Sequence, residues 1–308
     1  MITGIQMKTS DNRDERVKIV AYYYVCEMSK DDVECSELTL NVKDKISREE
    51  LDDLNNAFGL TGAYYSATSI KEIVVDNGIE FKKWMMPANL QSCLDRGMSS
   101  SQLVMGANKH VLNYASSIKT FVDMTYRLLT KKQPSKADDF EQLTHTFYDK
   151  HSTYRFWANF RNYVVHCAFP YTVFHNEVDK ECQVLCKKGH LLEFNNWKHS
   201  KADIEKMPED IDLTAMVDDM SGLVVALYLQ FLYYLAEDAF HGYEYYQAFL
   251  RRHQVKRPVI LEVDEQISEE TGFVNPSMHP LPVEIMVQMF QTLQNHPSVK
   301  INFIEEKE

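Results

Sequence analysis

No glycine-rich phosphate loop, no His-Glu-x-x-His pair and no Gly-x-Ser-x-Gly elbow occurs in this chain of 308 residues, which sets aside P-loop nucleotide hydrolysis, zinc-protease chemistry and the α/β-hydrolase nucleophile. Internal repeats and low-complexity tracts are also missing, so a solenoid is not expected. The six cysteines, Cys26, Cys35, Cys93, Cys167, Cys182 and Cys186, are scattered rather than framed. A chain this long builds a core without bridges, and no secretory signal is recognised ahead of them. The expectation is reduced thiols in the cytoplasm. Long apolar runs are lacking too: the most apolar stretch, Leu223 to Ala236, contains Gln230 and falls short of the roughly 20 residues a membrane span needs. It reads as a buried core helix, with no membrane partner.

Positive charge is also in short supply. A formal net charge of −12 argues against general nucleic-acid binding, because phosphate contacts come mainly from clustered lysine and arginine. The deficit is uneven, however. Residues 1–95 hold eleven basic against seventeen acidic side chains, residues 201–308 eight against nineteen, and residues 96–200 fourteen against nine. Only the middle third is suited to meeting phosphate.

What is present divides the chain into three parts. Residues 1–95 read as a small α+β domain: a β-prone run at Val17 to Val25, a second strand at Leu38 to Val42, and a helix opened by the capping-box spacing of Ser47 and Glu50 and stopped near Gly59. Asp76-Asn77-Gly78 between Glu72–Val75 and Ile79–Phe81 predicts a β-hairpin. The serines Ser99 to Ser101, after Pro87 and Gly97, are expected to form a linker or boundary. Residues 96–255 turn to helical period, with Val104, Ala107, Val111, Tyr114, Ile118 and Phe121 at steps of three and four. A loop around Pro134, a second helix from Asp138, a hairpin or irregular excursion about Gly189, and a long helical pattern from Asp212 to His253 follow. Gly222 and Gly242 are expected to kink or divide that last pattern. Residues 256–308 supply a strand at Val259 to Val263, a helix from Pro282 and a strand at Val299 to Ile304, in the style of the first domain and expected to pack with it. The fold class is therefore α+β, with an all-helical bundle inserted between its two ends.

One segment of the bundle carries candidate chemistry. On a helix running from Tyr154 to Pro170, Trp157, Phe160, Val164 and Cys167 line an apolar face, and Arg155, Asn159, Asn162 and His166 follow the opposite stripe. Asn162 and His166 are neighbours at i and i+4, Arg161 flanks them, and Pro170 places the helix end close to His166. An Arg, an Asn and a His thus project together near a helix terminus in the basic third of the chain.

Arg161, the polar Asn162 directly after it, and His166 beyond four intervening residues resemble the motif of ribonucleases of the HEPN superfamily, in the helical-bundle setting of such domains. The resemblance implies a homodimer in which two motifs face one another across a cleft, and an RNA substrate. RNA brings its own nucleophile, the 2′-hydroxyl, so neither a metal nor another cofactor is required. His166 would move the proton, Arg161 would pair with the scissile phosphate through its planar fork, and Asn162 would orient His166 or a phosphate oxygen. A toxin or antiviral effector, held quiet until a trigger or regulatory partner releases it, is the implied role. Some related toxins carry a tyrosine two residues after the histidine; Ala168 stands there in this chain, so regulation through that tyrosine is not expected.

Other readings of the same residues exist. The alternative makes Arg161 and His166 a buried, hydrogen-bonded pair in a non-catalytic dimerisation or interaction module, and that reading expects both side chains buried and fully satisfied. Cys182, Cys186 and His190, with His199 beyond, invite zinc, at an unusual spacing for a structural site. Cys167 beside His166 suggests a thiol nucleophile, but adjacent helical residues point about 100° apart.

Overall fold

A computed structural model of the chain describes residues 21–28, 40–176, 181–264 and 277–300. Helices dominate, with two small antiparallel sheets, as the α+β reading requires. The described residues form two compact units, one from within 1–58 and 244–282, the other from within 59–243 and 283–308.

The first unit is built on a four-stranded sheet of order β2-β1-β6-β7, from β1 (Ala21–Met28), β2 (Leu40–Ile46), β6 (Pro258–Asp264) and β7 (Ser277–His279). Tyr23 pairs with Glu262 and Val25 with Ile260, so the strand near one end of the sequence is knitted directly to the one near the other. Alternation puts Cys26, Val259 and Leu261 in a small buried cluster, with Tyr24 against it, and turns Val25 and Ile260 to the other face. Pro258 sits at the first position of its strand, where the amides before it bond instead to the Glu27 carboxylate, Lys256 N at 2.7 Å. Helix α1 (Arg48–Ala57) starts where the capping spacing predicts, with Ser47 Oγ accepting from the Glu50 amide at 3.0 Å.

The second unit holds the long helices. These are α2 (Thr61–Met85), α3 (Pro87–Asp95), α4 (Ser100–Lys132), α5 (Pro134–Lys150), α6 (Ser152–His166) and most of α9 (Val217–His253). The short α7 (Lys188–Leu192) and α8 (Ser200–Glu205) lie between the last two, and α10 (Val283–Gln294) joins from beyond β7. A sheet of order β3-β4-β5, from Tyr171–His175, Gln183–Lys187 and Asp210–Ile211, leans on α4. Asn108 of α4 fixes it there: its side chain donates to the Tyr171 carbonyl at 2.8 Å and accepts from the Tyr171 amide at 3.1 Å.

Several local expectations are corrected. The Asp76-Asn77-Gly78 hairpin does not form; these residues lie inside α2. Tyr64, Ala67, Ile70, Val74 and Phe81 are buried at helical spacing, and that apolar stripe outweighs the turn dipeptide. Gly78 is buried for a different reason, since a Cβ there would stand 2.9 Å from Val217 and 3.0 Å from Tyr114. The first unit accordingly gives way to the second at Phe58, not near residue 95. Ser99 is no linker but one half of a capping box with Gln102 that opens α4. Pro134 occupies the first turn of α5, where its missing N–H costs nothing, so the loop shrinks to Gln133. The hairpin lies before Gly189, between β3 and β4, and Gly189 belongs to α7. Gly222 and Gly242 leave α9 unbroken. The strand expected at Val299–Ile304, and the first part of the one at Val17–Val25, lie largely or partly outside the described residues.

Among the described residues one helix, Leu213–His253, is long and apolar enough by length and composition to cross a membrane. It is longer than the Leu223–Ala236 run suggested, because Val217 and Met220 before that run continue the same buried face. Met220, Val224, Leu227, Phe231 and Leu235 all sit in the core of the helical unit.

Candidate functional site

Helix α6 is set in place by aromatic packing. Phe156, Trp157, Phe160 and Tyr163 are fully buried, and Trp197 from the segment before α8 stacks on two of them, 5.6 Å from Phe156 and 5.5 Å from Tyr163. A buried indole removes some 150–250 Å² from water. That fixes the rotation of α6 about its axis, and with it the direction of every polar side chain on the helix.

The polar stripe divides in the middle. Arg155 and Asn159, its first half, are structural. The Arg155 guanidinium bonds to Asp203 of α8 at 2.8 Å and donates to the carbonyls of Tyr148 and Asp149 at 2.7 and 3.0 Å, satisfying the open C-terminal end of α5. Asn159, expected on the solvent side, is buried because α8 packs over it; its amide donates to Ser200 Oγ, Tyr148 Oη and the Arg155 carbonyl. The second half is open. Asn162 is half-buried and His166 exposed one turn further on, with Arg161 half-buried beside them. Among the described residues no hydrogen bond or ion pair is made by the side chain of Arg161, Asn162 or His166, in contrast to the saturated Arg155 and Asn159.

Helix α6 ends at His166, with Cys167 as its cap. Cys167 was expected on the apolar face, but the chain leaves helical geometry there and the thiol is exposed. Exposed Val165 and Phe169 flank His166, so the end of α6 presents a histidine between two apolar side chains.

The zinc reading fails on geometry. Among the described residues no group of three or more His, Cys, Asp or Glu side chains is placed to hold a metal. Cys182 donates to Gln91 Oε1 at 2.9 Å, and His190 Nδ1 meets Thr172 Oγ1 at 3.1 Å. Cys186 points inward from β4, where burial pushes its thiol up to about 12. A thiol that resists ionisation is a poor ligand and a poor nucleophile.

Arg161, Asn162 and His166 line neither of two cavities found among the described residues. One, of about 650 Å³, lies between α2 and the β3-β4-β5 sheet; Lys82 and Asp218 line it and pair with each other. The other, of about 480 Å³, opens over the N-terminal half of α6 between α4, α5, α9 and the Lys198-His199 segment. Sequence reasoning passed over Lys119, His145 and Lys198 and weighed His199 only beside the zinc candidates; all four line the second cavity. They come from three separate elements, and no spacing in the sequence connects them.

Neither a protein-family model, nor a characterised protein, nor a solved structure matches this chain.

Proposed function

We propose that the chain is a metal-independent, RNA-cleaving endoribonuclease of HEPN type, acting in the cytoplasm as a homodimer, with Arg161, Asn162 and His166 as its working residues. The observation that carries this reading is the split in the α6 stripe. Arg155 and Asn159 in the first half of the stripe are held by several hydrogen bonds each, whereas these three stand at the helix end without an intramolecular partner among the described residues. Ionisable groups left accessible and uncommitted are suited to a ligand.

In the reaction, the 2′-oxygen of RNA attacks the adjacent phosphorus as His166 of one subunit takes its proton. The P–O5′ bond breaks, the departing oxygen receives a proton from the second subunit's histidine, and a 2′,3′-cyclic phosphate remains. Arg161 spans two phosphate oxygens and stabilises the charge that builds there. Dimerisation supplies the missing walls: the motif lies outside both cavities, and the apolar rim of Val165 and Phe169 gives two copies a surface to share.

The interaction module with a buried Arg161–His166 pair does not fit the exposed His166, but the placement outside a cavity favours another non-catalytic reading, in which the α6 end is itself a contact surface. Purified protein and an Arg161→Ala, His166→Ala variant, incubated with a mixed RNA pool in excess EDTA, separate the two. Cutting by the wild type alone, with cyclic-phosphate ends, is the expected result, and loss of His166 alone lowers the rate by about 10²–10⁴-fold. Arg161→Lys impairs it as well, because lysine lacks the bidentate fork. Equal behaviour of wild type and double variant leaves the interaction module standing.

A further inference from the structure

We infer that the cavity over the N-terminal half of α6 is a binding site for a small aromatic anion, a flat ring carrying a phosphate or a carboxylate. Its volume of about 480 Å³ falls within the range of small-molecule sites, roughly 300–1,000 Å³. The floor is apolar and aromatic, from Val122, Tyr154, Trp157 and Met220, and the rim carries two lysines and two histidines, Lys119, Lys198, His145 and His199. Among the described residues no carboxylate lines it, in a chain whose formal net charge is −12.

Lys119 shares its charge with Asp123, one turn along α4, but Lys198 has no ion pair among the described residues. The Lys198 backbone is also unusual, at φ 52°, in the left-handed region that lysine seldom occupies. It is held there from both sides. Trp197 before it is buried, stacked on Phe156, and donates from Nε1 to the Leu191 carbonyl at 2.5 Å; Ser200 after it is buried and donates to the Arg155 carbonyl at 2.9 Å. Strain of this kind persists only where the surroundings over-determine it, and it gathers at sites that hold ligands. The floor keeps an unused donor as well, since the buried Trp157 Nε1 has no acceptor among the described residues. A flat ring seats on the aromatic floor, and its anionic group reaches Lys198 and the two histidines.

Two sources supply such a ligand, nucleotides and aromatic acids. Neither depends on RNA cleavage, because Arg161, Asn162 and His166 do not line the cavity. Isothermal titration calorimetry on the full chain tests the site with adenosine 5′-monophosphate and with indole-3-acetate, each beside its uncharged counterpart, adenosine or 3-methylindole. At least one anion is expected to bind with a Kd below about 1 mM and at least about tenfold more tightly than its neutral partner. AMP alone identifies the nucleotide source, and indole-3-acetate alone the aromatic acid. A Lys198→Asn, His199→Asn variant is expected to lose about tenfold or more in affinity with its melting temperature unchanged, since both positions are exposed and asparagine tolerates positive φ. His145→Gln, on α5, is expected to weaken binding independently. Failure of both anions to bind, or binding that these variants leave unchanged, overturns the assignment.

Discussion

Gly78 and Gly106 each mark a place where a helix comes too close to a neighbour for a methyl group. At Gly78 of α2 the obstacles are Val217 and Tyr114; at Gly106 of α4 an added Cβ would fall within the indole of Trp84. Gly222 of α9 faces open space. Alanine at Gly78 or Gly106 is therefore expected to destabilise the protein by about 1–3 kcal/mol through overpacking. Alanine at Gly222 is expected to stabilise it by about 0.5–1 kcal/mol through helix propensity. Urea unfolding of the three variants checks the sign as well as the size. The sequence makes all three look alike, and Asn-Gly even points the wrong way, because close approach depends on residues more than twenty positions distant. Asn108 is hidden for the same reason: its two hydrogen bonds reach the Tyr171 backbone, sixty-three residues on. Arg161, Asn162 and His166 were legible because helical geometry relates them within two turns, and their accessibility was not.

At the level of elements, helix boundaries follow local chemistry. Ser47 with Glu50 and Ser99 with Gln102 cap α1 and α4, and Pro87 and Pro134 sit in the first turns of α3 and α5. Ser99→Ala removes a side-chain acceptor from the Gln102 amide and is expected to cost about 1 kcal/mol, seen as a lower melting temperature for the helical unit. Helices announce themselves through such signals and through period. The short strands β3, β4 and β5 do so less well, since five residues or fewer give little alternation to read and their partners are set by tertiary contacts. The α6 stripe shows the same limit. Helical spacing placed Asn159 and Asn162 on one side together, but only the packing of α8 over Asn159 separates the structural from the available half.

For the whole molecule, pH acts unequally on the two units. In the first unit both ring nitrogens of buried His253 meet carboxylates, Asp44 at 2.8 Å and Glu50 at 2.9 Å. The bond to His253, seconded by the Lys45 amide, holds the Asp44 carboxyl below its usual range. A lowered carboxylate pKa stabilises the fold in full above the ordinary value and loses that effect as pH falls through the lowered one. The wild type's advantage in melting temperature over Asp44→Asn is accordingly expected to shrink and vanish on acidification from neutral pH. Tyrosine signals report it, since Trp84, Trp157 and Trp197 all belong to the other unit. The pairing of β1 with β6 has a further consequence, one of timing. Some 230 residues separate Val25 from Ile260, and a ribosome adding about 5–20 residues per second leaves the first strand waiting roughly 10–50 s for its neighbour. The helices of residues 59–243 emerge during that interval, so in a cell the sheet of the first unit closes only after most of the helical unit has been made, and α10 follows last.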